Sequence, residues 1–298
     1  MSVLLKIIHT TRYRFARPVM LGEHRVMFRP RDSHDLRVLA TDLEISPEPI
    51  DITLIQDVFL NSIAIVQPQS PAHELEIVAS FKVEHTGTRA LDLRLDPAAE
   101  NYPFAYDPDD QLVLLPYITP YYDDPAGSLA EWAQQFVLVA LGPNKQVGTR
   151  DVLVAMTRHI RDTFVYSVRK KEGVQTPYET LALNSGSCRD FATLMIEAVR
   201  HLGYAAKFVS GYLYSQTRDP DSTALVGGGA THAWLQVYLP GAGWLPFDPT
   251  NNLVGGNELV RVGFARHAGQ ASPVSGSWTG SASDYLGMDV TVSVQRYS

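Results

Sequence analysis

The chain has a single cysteine, Cys188, in 298 residues. That excludes an intrachain disulfide and any cysteine cluster for structural zinc. No apolar run approaches the roughly 20 residues that span a bilayer, and the opening Met1-Ser2-Val3-Leu4-Leu5-Lys6-Ile7-Ile8 is interrupted too early for a signal peptide. A cytoplasmic setting, where a free thiol persists, is the expectation. Basic stretches are missing apart from Arg169-Lys170-Lys171, and the net charge is −7 at pH 7, so neither nucleic acid nor an anionic membrane surface is an expected partner. Internal repeats and low-complexity tracts are absent as well. What remains is an ordinary globular composition, 45% hydrophobic and 19% charged, in a chain long enough for two compact domains.

The cysteine lies in Gly186-Ser187-Cys188-Arg189-Asp190-Phe191-Ala192, a small-residue turn running into a helical pattern. Phe191, Leu194, Met195, Ala198, Val199 and Leu202 recur at helical spacing, and Gly203 supplies a stop. The pattern predicts a helix whose mouth holds Cys188. Helix N-termini carry unpaired N–H groups and about half a positive charge, which favours a thiolate. A lone cysteine is ordinarily a small buried hydrophobe; its place here points to a nucleophile. Asp190 in the first turn favours the helix dipole. Arg189 reads either as an aid to the thiolate or a substrate carboxylate, or as a surface residue.

Lys207 to Tyr214 reads as a strand, and so does Thr231 to Leu239 after the glycine run Gly227-Gly228-Gly229. Trp244 to Thr250 reads as the returning arm of a hairpin. With a three-residue loop, Pro240 to Ala242, Leu239 faces Gly243 and Trp234 faces Asp248. His232 is then a diagonal neighbour of Asp248, about 7–8 Å away between backbones and within side-chain reach. A one-residue slip would put the two on opposite faces. Trp234 and Trp244 flank this pair as cleft walls or as packing residues.

These parts suit acyl transfer. Cys188 would attack a carbonyl carbon, His232 would take the thiol proton and return it to the leaving amine, and Asp248 would hold the imidazole. The backbone N–H of Cys188 is a natural oxyanion donor. A second donor is sought among Gln175, Thr176, Tyr166 and Tyr178, with Ser187, Arg189 and Trp234 as further cleft residues. No metal ligand set and no cofactor is expected.

The blocks Gly186-Ser187-Cys188-Arg189-Asp190-Phe191-Ala192, Thr231-His232-Ala233-Trp234 and Phe247-Asp248-Pro249-Thr250, in that order, resemble those of the transglutaminase-like superfamily of cysteine enzymes. The resemblance extends through Gly173-Val174-Gln175-Thr176-Pro177, Thr180-Leu181, Leu202-Gly203 and Val209-Ser210-Gly211-Tyr212-Leu213. It implies an α+β, papain-like core, with the cysteine helix packed on an antiparallel sheet, and Cys188, His232 and Asp248 as the triad. The segments His9 to Phe15, Phe28 to Arg31 and Asp57 to Asn61 resemble the β-rich domain that precedes this core in a bacterial subgroup. Relatives usually carry glycine where Leu60 stands. The tail, with Ala265-Arg266-His267-Ala268-Gly269-Gln270, departs from the family pattern, so no cleft role is carried over to it.

The expected organisation is an all-β, sandwich-like domain over 1–95, a linker or wrapping segment over 96–127, and the catalytic core with C-terminal strands over 128–298. The first part shows short alternating stretches such as Leu43-Glu44-Ile45 and Ile63-Ala64-Ile65-Val66. Helices are predicted from Ser128, with Glu131 completing a capping box, to about Leu141, and from Arg150 to Thr163. The acidic residues Asp107, Asp109, Asp110, Asp123 and Asp124 lack the pattern of a calcium loop and read as turn chemistry. His9, His24, His159 and His201 read as structural or exposed.

Three functions fit. Water as acceptor makes a peptidase or amidase, the first reading; an amine makes a transglutaminase; and a fold retained without turnover makes a peptide-binding or assembly module. The first two take a peptide or protein substrate.

Overall fold

The computed structural model describes residues 2–87, 89–139, 141, 146–168, 173–215 and 225–297. The Arg169-Lys170-Lys171 triplet lies outside them. The N-terminal part forms β1 (Val3–Arg29), β2 (Leu36–Ser46), β3 (Asp51–Gln56), β4 (Ser62–Gln67) and β5 (Ala72–His85), all antiparallel in the order β2-β5-β1-β4-β3. Strand β1 is 27 residues long and serves as the spine, with Val3, Leu5, Ile7, His9 and Thr11 inward on alternate positions. Its first half pairs with β5 and its second half with β4. The irregular register between Arg14 and Val19 marks the change, and such breaks bend a sheet. The curled sheet encloses Phe15, Val19, Leu21, Leu75 and Ile77.

Between β3 and β4 the Asp57 carboxylate accepts from the amides of Phe59 and Asn61 at 2.9 and 2.8 Å. This turn holds Leu60 at φ 64°, the left-handed region that glycine occupies freely.

The next segment holds β6 (Asn101–Tyr102) and α1 (Pro108–Ile118), the latter capped by Asp107, which accepts from Asp109 N at 3.0 Å. The sequence reads 96–127 as aperiodic, and the helix is a correction. Leu112, Val113 and Leu115 are exposed while Leu114 is buried, so α1 has no apolar stripe to show. Then come α2 (Ser128–Val139), β7 (Val147–Gly148), α3 (Thr149–Thr163), β8 (Val165–Tyr166), α4 (Pro177–Leu183), β9 (Ser185–Gly186) and α5 (Cys188–His201). The first amides of α2 are met by Asp124, whose Oδ2 accepts from Leu129 N and Ala130 N at 3.1 and 2.9 Å.

The core sheet comprises β10 (Ala205–Leu213), β11 (Thr231–Leu239), β12 (Gly243–Asp248), β13 (Leu253–Val254) and β14 (Leu259–Ala265), in the order β13-β12-β11-β10-β14. Helix α5 lies against it, joining Phe191, Leu194, Met195 and Ala198 to Ala206, Phe208, Ala233, Leu235, Val237 and Phe247 in one cluster. The architecture is α+β. Helix α5 is buried on nearly all sides, and its buried charges Glu197 and Arg200 are paired. Arg200 pairs with Glu197 at 2.6 Å, while the other Glu197 oxygen accepts from Tyr121 N and Tyr122 N at 2.7 and 3.1 Å.

The final strands, β15 (Val274–Thr279) and β16 (Tyr285–Arg296), both pair with β1. The sequence groups them with the catalytic core, and the structure instead lays them on the N-terminal sheet. The cause is the length of β1. Each half has one edge taken by β5 or β4 and one left for β16 or β15. Such pairings span 248 to 291 positions and leave no local signal. The two parts meet through Leu5, Ile7, Phe81, Tyr212, Val260 and Val262, reinforced by Arg261 on Asp35 at 2.6 Å. The Asn61 side chain donates to the Phe264 carbonyl at 2.7 Å and accepts from Phe264 N at 2.8 Å.

Candidate active site

Helix α5 begins at Cys188, with Ser187 as its N-cap. The Asp190 carboxylate organises this start. One oxygen accepts from Ser187 N and Ser187 Oγ, both at 2.8 Å, and the other accepts from Gln175 N at 2.7 Å. A fully buried carboxylate thus gains three donors, the compensation such a charge needs. The preceding Gly186 has no room for a side chain, since a Cβ there would stand 2.8 Å from Asp190 Cβ and 3.2 Å from Gln175 Oε1. Two neighbouring segments fix the loop: β8 pairs in parallel with β9, setting Tyr166 opposite Gly186.

His232 opens β11, and Asp248 ends β12. Leu239 pairs with Gly243 and Leu235 with Phe247, the register the three-residue loop predicts. His232 Nε2 lies 2.8 Å from Asp248 Oδ2, with both side chains fully enclosed. The other Asp248 oxygen accepts from Thr250 N at 2.9 Å. Burial, the largest influence, pushes the His232 imidazolium down. The Asp248 charge and hydrogen bond, joined by the nearby Cys188, outweigh it and raise His232 to about 10. Cys188 therefore lies near enough to act on the imidazole. His232 Nδ1 has no partner of regular geometry among the described residues, so the thiol contact is looser than the carboxylate one, as is common before substrate binds.

Tyr166 stands close enough to feel both Cys188 and Asp248. Burial first, then those two charges, push its hydroxyl up to about 12, so it stays a donor at neutral pH. Ser187 and Gln175 surround the helix start through Asp190. The remaining sequence candidates are placed otherwise. Thr176 is the N-cap of α4, in a reciprocal box with Glu179. The Tyr178 hydroxyl donates to the Asp123 carbonyl. Arg189 is exposed on the helix flank. Trp234 is buried among Val209, Leu213 and Leu259, with its ring stacked on His232 at 6.0 Å. Trp244 and Phe264 sandwich the Lys207 ammonium at 4.0 and 4.2 Å.

One residue escapes the sequence reading. Asn251 donates to Asp248 Oδ2 at 2.8 Å, and its only signal is its place three positions after the acid. Among the described residues no group of three or more His, Cys, Asp or Glu side chains is placed to hold a metal. No helix among them is long and apolar enough to cross a membrane.

A thiol at a helix mouth, an imidazole beside it and a carboxylate on the imidazole sit on segments that match known families. Residues 139–249 match the transglutaminase-like superfamily, and residues 5–84 match the bacterial transglutaminase-like N-terminal region. Residues 139–249 belong to the transglutaminase-like superfamily. The chain is 27% identical over 295 residues to an uncharacterized protein of Mycobacterium tuberculosis, covering 96% of this chain and 91% of that protein. A protein-glutamine gamma-glutamyltransferase of Pseudomonas aeruginosa is 35% identical over 66 residues, covering 22% of this chain and 10% of that one. The crystal structure of a candidate cysteine protease from Cytophaga hutchinsonii superposes with a TM-score of 0.72 at 19% identity, covering 100% of this chain and 92% of that one. That likeness is one of fold. The superfamily core matched here contains Cys188, His232 and Asp248.

Proposed function

We propose that this chain is a cysteine-dependent acyl-transfer enzyme acting on amide bonds of a peptide or protein, with water as the usual acceptor. The observation that carries this reading is the 2.8 Å bond between His232 and Asp248 with the Cys188 thiol acting on the same imidazole. In the proposed cycle the thiolate attacks the carbonyl carbon, and the oxyanion is met by the Cys188 N–H at the first turn of α5 and by the Tyr166 hydroxyl. The C–N bond breaks as His232 gives its proton to the leaving amine, leaving a thioester on Cys188. Water, deprotonated by His232, then attacks the thioester, releasing the acid and restoring the thiol. A reducing, cytoplasmic setting suits a chain that depends on one free thiol.

A second reading is amine transfer, in which a primary amine replaces water at the thioester. The short match to the gamma-glutamyltransferase favours it. Incubation with a glutamine-containing protein and a labelled primary amine separates the two. Ammonia or new peptide termini without label support hydrolysis, whereas label incorporation exceeding hydrolysis overturns it. If Cys188 in the folded protein reacts with iodoacetamide no faster than a free thiol and neither product forms, a binding module is the better account.

A further inference from the structure

Asn251 lies in the turn between β12 and β13, and its side-chain amide makes three hydrogen bonds. Nδ2 donates to Asp248 Oδ2 at 2.8 Å and to the Val226 carbonyl at 3.2 Å, and Oδ1 accepts from Val226 N at 2.7 Å. The imidazole and this amide therefore share one carboxylate oxygen. Val226 opens the glycine turn. Its neighbour Gly227, at φ 96°, has its backbone so close to the imidazole that a Cβ would stand 3.0 Å from His232 Nδ1. At the far end of the turn the Gly229 carbonyl accepts from Val292 N of β16 at 3.2 Å. One neutral side chain thus links the acid on one side of His232 to the backbone on the other, and that backbone is tied in turn to the N-terminal sheet.

We propose that Asn251 is a positioning residue of the active site: it fixes the plane of the Asp248 carboxylate and holds the Val226–Gly229 turn against His232, so that the ring cannot swing away from Cys188. The inference rests on the triad reading above. A carboxylate held only through the Thr250 amide and the imidazole has freedom to rotate about its own bond; a second donor on the shared oxygen removes it. A side chain that acts this way affects the rate of chemistry more than the binding of substrate.

Two variants separate this role from plain turn stability. In Asn251→Leu the size is kept and all three bonds are lost. In Asn251→Asp the acceptor for Val226 N is kept, while the donor to Asp248 becomes a like charge. The ring-carbon protons of His232 are titrated by NMR in the wild type and both variants, alongside the rate of Cys188 alkylation and, with a turned-over peptide, kcat and KM. The charged neighbours acting on His232 are Asp248 and Cys188. Freed from Asn251, Asp248 turns aside, so the His232 midpoint falls in Asn251→Leu, and kcat drops about tenfold or more with KM nearly unchanged, the scale of one hydrogen bond to a charged group. In Asn251→Asp the loss shrinks as pH is lowered and the introduced carboxyl gains a proton to donate to Asp248. A His232 midpoint that stays put or rises in folded Asn251→Leu overturns the proposal, since a stationary carboxylate losing a competing donor would hold the imidazolium more tightly. Where Asn251→Leu fails to fold, a pH-independent ratio of Asn251→Asp to wild-type alkylation rate overturns it. Slow alkylation of the wild type would defeat the enzyme reading alone, because the His232 titrations still decide the role of Asn251.

Discussion

His9 Nδ1 lies 2.7 Å from the Tyr212 hydroxyl, a buried hydrogen bond joining β1 to β10 where the N-terminal sheet meets the core. The other ring nitrogen is 3.1 Å from Thr11 Oγ1. Burial lowers His9 from 6.5 to about 4. A histidine whose folded value is depressed contributes stability that is whole above the unfolded value and lost as pH falls toward the folded one. Between pH 6.5 and 4 the protein is expected to lose on the order of 3 kcal/mol from this group. Urea midpoints followed across that window should fall steeply in the wild type and less steeply in His9→Gln.

The sign is opposite at His232. Its value is raised from 6.5 to about 10, burial being outweighed by Asp248 and Cys188. Its contribution is therefore complete below pH 6.5 and disappears as pH climbs through about 10. Alkaline urea titrations should show this loss in the wild type, and Asp248→Asn should remove much of the slope. An identical alkaline slope in the two proteins would contradict the pairing.

Substitution of the three proposed catalytic groups should give a graded series. Cys188→Ala and His232→Ala are expected to reduce turnover to background while circular dichroism remains native. Asp248→Asn retains nucleophile and base but loses the orienting charge, so a reduction on the order of 10²- to 10⁴-fold is expected. Single-turnover assays with a peptide substrate would read the difference.

Asp190 supports the helix mouth through three bonds, to Ser187 N, Ser187 Oγ and Gln175 N. Asp190→Ala leaves those donors enclosed without their acceptor, at a cost of about 3 kcal/mol or more. Denaturant unfolding would show it, and Cys188 alkylation should slow because the turn before the nucleophile loosens.

At Leu60 a gain is expected. The residue is half exposed and held at φ 64°, so Leu60→Gly relieves a left-handed backbone while losing little packing. The net change should be a stabilisation of up to about 1 kcal/mol, since glycine's greater unfolded entropy offsets part of the relief. A melting temperature lower than the wild type's would count against it.

The local parts of this molecule were legible in its residues. Six apolar positions at helical spacing marked α5, and the Pro240-Gly241-Ala242 loop set the β11–β12 register that brings His232 to Asp248. Helix α1 escaped notice because Leu112, Val113 and Leu115 face outward and only Leu114 inward. The β1–β16 pairing escaped because backbone ladders between distant segments write nothing into either strand beyond alternation. Thr176 and Tyr178 looked available as donors, but their hydroxyls are engaged by Glu179 and the Asp123 carbonyl. Asn251 gave the least warning: an asparagine in a turn is ordinary, and only the fold brings Val226 to it.

Strand β1 also bears on how the chain is made. A ribosome delivers it before its partners β15 and β16, and the pairing ends with Tyr297 N donating to the Leu4 carbonyl at 3.0 Å. One flank of the nascent sheet therefore stays open while the segments between β1 and β15 are made, the cysteine-bearing one among them. An unpaired flank invites association with other chains, so deleting residues 272–298 should yield aggregates even though every proposed catalytic group remains.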